Sequence, residues 1–153
     1  MKRLTSLLML FLLLGMATWA WAGPREEVAQ AIRQWIQAQR EGNSEAMAAL
    51  YADDAVFFSG HIPFRVDGKE AIRRHWAAFF KEFPTRRSTV NQLSRKIYGD
   101  STAVSALYSV STLVDRNGKV HTDNLRYTAT RVKVGGKWLV VSTHVSHLPD
   151  VSH

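Results

Sequence analysis

Arg131, His144, Tyr127, Tyr108 and Ser142 are the side chains of this sequence best suited to hold or transform a small molecule. Arginine presents a planar, permanently charged fork that matches a carboxylate. Histidine titrates near neutrality and can serve as base or acid, while tyrosine and serine hydroxyls both donate and accept hydrogen bonds. Trp35 and Trp76, with Tyr51 and Phe80, could wall a site, although aromatics at helical spacing also serve as plain core. Other groupings carry less chemistry. The adjacent carboxylates Asp53-Asp54 suit the end of a helix better than catalysis, because a carboxylate pair must face one substrate. His144 and His147 form an H-x-x-H pattern with His153 beyond, yet residues three apart on a strand point to opposite faces, so no metal site is expected. The chain has no cysteine, which excludes a disulfide scaffold, a thiol nucleophile and a cysteine zinc site. No cofactor is expected.

The elements that position these residues belong to one domain. The chain has 153 residues, 46% hydrophobic and 22% charged, with 20 Lys and Arg against 13 Asp and Glu for a net charge of +7. That is the composition of a soluble globular domain, with no room for two. Lys2 and Arg3 precede the apolar stretch Leu4 to Met16, and Ala20-Trp21-Ala22 gives a small-x-small end, so residues 1–22 are expected to be a secretory signal peptide cleaved after Ala22. An uncleaved membrane anchor is the alternative. The expected mature domain, residues 23–153, would be secreted or periplasmic. Cleavage would leave 18 basic and 13 acidic side chains, which attract anions in general. They form no basic run, and nucleic-acid binding is not expected.

Pro24, Glu26 and Glu27 suit a helix start, and Val28, Ala31, Ile32, Trp35 and Ile36 recur at helical spacing until Gly42. Asn43 or Ser44 can cap a second helix with Ala46, Met47, Leu50 and Tyr51 inside, ended by Asp53-Asp54. Ala55 to Ser59 reads as a short strand. A third helix starts near Asp67-Gly68, presents Ile72, Trp76, Phe79, Phe80 and Phe83, and stops at Pro84. His61, Arg65 and Asp67 fall in the connection before it, with Asp67 placed to cap the helix.

Beyond Pro84 the pattern becomes alternating and β-branched: Ser88 to Tyr98, Thr102 to Val114, Lys119 to Val134 and Lys137 to His147, four antiparallel strands in a meander. The fold class is therefore α+β, with the helices on one face of the sheet. A two-residue turn at Gly135-Gly136 sets Val134 against Lys137, Arg131 against Val140 and Tyr127 against His144. One face then carries Leu125, Tyr127, Ala129 and Arg131 beside Trp138, Val140, Ser142 and His144. A four-residue turn at 115–118 adds Val104, Ala106, Tyr108 and Val110, leaving Ala103, Ser105, Ser109 and Ser111 opposite. The more apolar face should be buried. It would form a pocket of apolar surface with a few convergent polar groups. Arg131 on such a face either pairs with Asp53, Asp67 or another carboxylate, or receives an anionic ligand.

The order of elements and several local motifs resemble the nuclear transport factor 2-like superfamily, which includes SnoaL-like cyclases, ketosteroid isomerases and the association domain of calcium/calmodulin-dependent protein kinase II. The motifs are Glu41-Gly42-Asn43-Ser44-Glu45, Leu50-Tyr51-Ala52-Asp53-Asp54-Ala55-Val56-Phe57, Val66-Asp67-Gly68-Lys69-Glu70-Ala71-Ile72, Thr130-Arg131-Val132 and Gly136-Lys137-Trp138. The final His144-Val145-Ser146 is most similar to the kinase association domain. The resemblance spans roughly residues 26–149 and implies a cone: a curved antiparallel sheet wrapped around three helices, dimerising through its outer face. It aligns the isomerase's general base with Ser59, its oxyanion-hole tyrosine with Trp35 and its protonated aspartate with a position near Thr128, so isomerase chemistry of that type is not expected. It also aligns Arg131 with a pocket arginine that attracts carboxylates, while Val145 stands where the association domain has another.

These readings converge on an exported binder of a small apolar or carboxylate-bearing molecule, held by Arg131, oriented by His144, Tyr127, Tyr108 and Ser142, and walled by Trp35 and Trp76. A homodimer is expected. The alternatives are an isomerase, cyclase or hydrolase using His144 as base, although a packed histidine bonded to Tyr or Ser is the simpler role, and an assembly module acting through the face of Ser105, Ser109 and Ser111.

Overall fold

Helix α1 (Pro24–Glu41) opens with a proline, which gives up an N–H that has no helical partner, and with Glu26 and Glu27 against the positive helix end. The computed structural model describes residues 23–149, so the expected leader and His153 lie outside the described residues. Glu27 accepts from Lys133 Nζ at 2.5 Å and Trp138 Nε1 at 2.7 Å, which ties the helix start to the far end of the sheet. The lysine bond, then the indole bond, holds its carboxyl below the usual range. The helix ends at Gly42, whose φ of 69° is the left-handed turn that lets Asn43 N–H reach back to the Ala38 carbonyl.

Asn43 then caps α2 (Ser44–Ala48), accepting from Ala46 N–H at 2.9 Å. This helix is shorter than its apolar spacing suggests, because Tyr51 opens strand β1 (Tyr51–Phe58). Asp53 and Asp54 do not break a helix. They stand exposed on the strand, and Asp53 pairs with Lys69 at 2.6 Å. A two-residue strand β2 (Val66–Asp67) precedes α3 (Lys69–Glu82). Gly68 occupies the capping position of α3, and Asp67 pairs with Arg65 at 2.8 Å instead of capping. The helix stops before Pro84, as the sequence requires.

Strands β3 (Thr85–Tyr98), β4 (Thr102–Val114), β5 (Val120–Val134) and β6 (Lys137–His147) form the meander. The curved six-stranded sheet runs β2-β1-β6-β5-β4-β3, antiparallel except where β1 joins β6 in parallel. Helix α1 packs on β3 and β6, α3 packs on β1 and β2, and α2 sits against both helices. The architecture is the expected α+β cone. The main core joins Met47, Tyr51, Phe57, Ile72, Trp76 and Phe80 to Val140, and a second cluster joins Val28 and Ile32 to Ala103 and Trp138.

Two single-residue steps differ from the expected register. Val114 pairs with Val120, so the connection after β4 has five residues and not four. This turns Ala103, Ser105, Leu107, Ser109, Ser111 and Leu113 toward the helices and leaves Tyr108 and Val110 exposed outside. On β6, Arg131 still faces Val140, but Thr130 faces Ser142, so Val141 is an extra residue. Beyond that bulge Thr143 and Val145 point inward, while Ser142 and His144 point outward and Tyr127 pairs with Val145.

Arg86 on β3 knits the elements together. Its guanidinium donates to the Phe83 carbonyl and to the Gln39 carbonyl at 3.4 Å, and lies 4.6 Å from the Phe80 ring centroid. A Cβ at Gly42 would stand 2.7 Å from Arg86 Nη2. Arg86→Ala should therefore lose about 2 kcal/mol in urea unfolding, and Arg86→Lys should recover only part, since lysine lacks the fork. Gly42→Ala should also destabilise through its φ and this contact. A change below about 0.5 kcal/mol in Arg86→Ala would show that the guanidinium does not hold the helix ends.

Candidate functional site

Between α1, α3 and the inner sheet face lies a cavity of about 360 Å³, the lower range for small-molecule sites. Its walls are aromatic and aliphatic: Ile32, Trp35 and Ile36 from α1, Trp76 and Phe79 from α3, Phe57 from β1, and Leu107, Leu125 and Val145 from the sheet. Trp35 stands edge-on to Trp76 at 5.9 Å and to Tyr127 at 5.3 Å. Period-two alternation along β5 brings Asp123, Leu125, Tyr127 and Arg131 to the cavity from one strand.

Arg131 is 3% exposed. Its one side-chain hydrogen bond goes to Ser105 Oγ at 3.3 Å, and among the described residues no carboxylate comes within ion-pairing distance of it. Asp53 and Asp67, the partners considered from sequence, are held by Lys69 and Arg65. Burial lowers the proton affinity of the guanidinium, countered by the Tyr127 and Tyr51 phenols. It remains charged, as arginine does in proteins.

The surrounding polar atoms are also without partners. The hydroxyls of Tyr51, Tyr127 and Thr143 and the indole N–H groups of Trp35 and Trp76 are shut off from solvent and make no hydrogen bond within the protein. Tyr51 and Thr143 lie beside the Tyr127 hydroxyl without reaching bonding geometry. Burial pushes the Tyr127 phenol well above its ordinary value, with Tyr51 adding to the effect and Arg131 opposing it, so Tyr127 is a neutral donor. A buried cation beside several uncommitted donors is an environment complementary to an anion.

Asp123 stands eight residues from Arg131 along β5, and His61 meets it from the β1–β2 connection. His75 on α3 also lines the cavity, its ring 5.2 Å from Phe57. Burial lowers the basicity of both histidines, and the Asp123 charge partly offsets this for His61. Ser59 lines the cavity and accepts from the His61 backbone N–H at 3.2 Å.

Of the residues expected from sequence, Arg131, Tyr127, Trp35 and Trp76 meet in the cavity. Tyr108, Ser142 and His144 do not. Tyr108 is turned outward by the five-residue connection, and Ser142 and His144 by the bulge at Val141. His144 stacks on Phe58 at 5.6 Å on the outer side, away from any base position in the cavity. Thr128 is exposed on the same side. Ser105, Ser109 and Ser111 were expected outside and line the cavity instead. His75 and Asp123 carried no motif. The one available signal was their phase: His75 precedes core residue Trp76, and Asp123 shares the odd-numbered face of Arg131.

The comparisons with known proteins agree with this geometry. The sequence profile of the calcium/calmodulin dependent protein kinase II association domain matches residues 24–149. A candidate association domain of that type from Xanthomonas campestris is 31% identical, with a TM-score of 0.74 over 82% of this chain and 88% of its own. A nuclear transport factor 2-like protein from Salmonella enterica shares the fold at 18% identity, with a TM-score of 0.76 over 84% of this chain and 94% of its own. A candidate dehydratase from Streptomyces avermitilis shares it at 15% identity, with a TM-score of 0.73 over 82% of this chain and 97% of its own. No curated protein sequence matches the chain. On the profile match and the Xanthomonas likeness, the chain belongs to the calcium/calmodulin dependent protein kinase II association domain family, built on the nuclear transport factor 2-like cone.

Proposed function

We propose that this protein binds a small aromatic or alicyclic carboxylate in its cavity, with the carboxylate on Arg131 and the ring against the wall formed by Trp35 and Trp76. One observation carries the reading: Arg131 is buried with Ser105 as its sole side-chain partner. An ion in low dielectric is strongly disfavoured unless a counter-charge joins it, and a carboxylate would supply both the charge and a bidentate acceptor. Tyr127 donates to the same anion, and the aromatic walls remove its ring from water. The ligand is bound and not consumed. The apolar leader, residues 4–16, makes export part of this reading.

A second element concerns assembly. The outer sheet face exposes Tyr108 and Val110 side by side on β4, 42% and 39% accessible. Apolar side chains grouped on a sheet face mark an interaction surface. In an association-domain family the reading is a second copy of this chain packed sheet to sheet.

A thermal-shift series of benzoate, naphthoate and cyclohexane carboxylates against the matching alcohols tests the first reading. Binding to the native state alone stabilises it by about 2.7 kcal/mol at a hundredfold excess over Kd. The carboxylates should raise Tm and the alcohols should not, with the shift lost in Arg131→Ala. Equal shifts from alcohols, or a shift surviving in Arg131→Ala, would contradict it. For assembly, sedimentation should show a dimer or larger oligomer that Val110→Lys shifts toward monomer. A monomeric parent at micromolar concentration, or an oligomer indifferent to Val110→Lys, would remove that part of the proposal.

A further inference from the structure

His61, Asp123 and His147 converge from three separated segments: the connection after β1, the turn-proximal start of β5 and the last residue of β6. Their donor atoms lie within 4.8 Å of one another. Asp123 directs Oδ2 at His61 Nε2 and Oδ1 at His147 Nε2, each at 3.5 Å. That separation is too long for a hydrogen bond. The protein shows what a bonded pair looks like elsewhere, where His121 Nε2 sits 2.9 Å from Asp115 Oδ2. Two ligands on a tetrahedral zinc at about 2.1 Å each stand about 3.4 Å apart, close to the 3.5 Å between Asp123 and each histidine.

The surroundings hold the donors in place. The His61 ring rests 5.1 Å from Phe79 and 6.1 Å from Phe83, and edge-on to His147 at 5.7 Å. A Cβ on Gly60 would stand 3.3 Å from His147 Cε1, so the absent side chain leaves room for that ring. Asp123 Oδ2 is shut off from solvent and accepts no hydrogen bond. A carboxylate oxygen in that position is costly without a cation.

We propose that His61, Asp123 and His147 form a binding site for a divalent first-row ion of the zinc type. Two imidazoles and one carboxylate select this class over calcium or magnesium, which prefer all-oxygen ligation. Three protein ligands leave a coordination position free. His61 and Asp123 both line the cavity while His147 does not, so the ion would sit at the cavity's edge. The site stands apart from the carboxylate reading, since Asp123 and Arg131 are eight residues apart along β5, roughly 26 Å of extended strand.

Zinc chloride titrated calorimetrically into the untagged, chelator-treated protein tests the proposal. One equivalent should bind, and Asp123→Asn and His147→Ala should each weaken binding at least about tenfold. His121→Ala and His144→Ala should leave it unchanged, and Arg131→Ala should still take up zinc even where it has lost carboxylate binding. Asp123→Asn keeps the side-chain shape, and His147 sits at the partly exposed rim, so both variants should melt like the parent. Absence of stoichiometric uptake, or uptake indifferent to Asp123→Asn and His147→Ala, would overturn the assignment.

Discussion

A strand has two faces, and shifting its register by one residue exchanges them. The contents of this cavity depend on two such shifts: the five-residue connection between β4 and β5, and the extra residue Val141 in β6. The first brings Ser105 to Arg131. The second brings Thr143 and Val145 inward just where β1 joins β6 in parallel, with the Val140 N–H donating to the Leu50 carbonyl at 2.8 Å. With neither shift, Tyr108, Ser142 and His144 would occupy the interior and Ser105 would face away from Arg131.

The second consequence is electrostatic. Arg131 is enclosed by Ser105, Tyr127 and aromatic surface, and the exposed carboxylates Asp53 and Asp67 are engaged by Lys69 and Arg65. A buried cation without a counter-ion lowers the stability of the ligand-free fold, and several hydroxyl and indole donors close to it are left unbonded as well. Sites that hold such unmet demand are those where stability is given up for binding. The surplus positive charge of the whole chain adds a weak general attraction for anions.

Much of this was legible in the residues. The helix signals at Pro24, Asn43 and Pro84 and the turn glycines Gly135 and Gly136 placed the elements, and the motif order placed the family. Arg131, Tyr127, Trp35 and Trp76 were found because the Gly135-Gly136 hairpin holds its two-residue register as far as Arg131. Beyond that point Val140-Val141-Ser142-Thr143 offers β-branched residues on both faces, so the bulge leaves no mark in the pattern. On β4 the rule that the more apolar face is buried fails. Ser105, Ser109 and Ser111 line the cavity, and Tyr108 and Val110 stand on the outer face. His61 and His147 are far apart in sequence, and their meeting with Asp123 is a property of the closed cone alone.

The most direct test of the account is the unfolding free energy of Arg131→Met compared with the parent, by urea titration in a buffer free of carboxylates. If the guanidinium has no counter-charge within the protein, an apolar side chain of similar length should leave stability unchanged or raise it by about 1 kcal/mol or more. A loss of about 3–5 kcal/mol, the cost of breaking a buried ion pair, would contradict the account, because it would mean that the protein itself compensates the charge of Arg131.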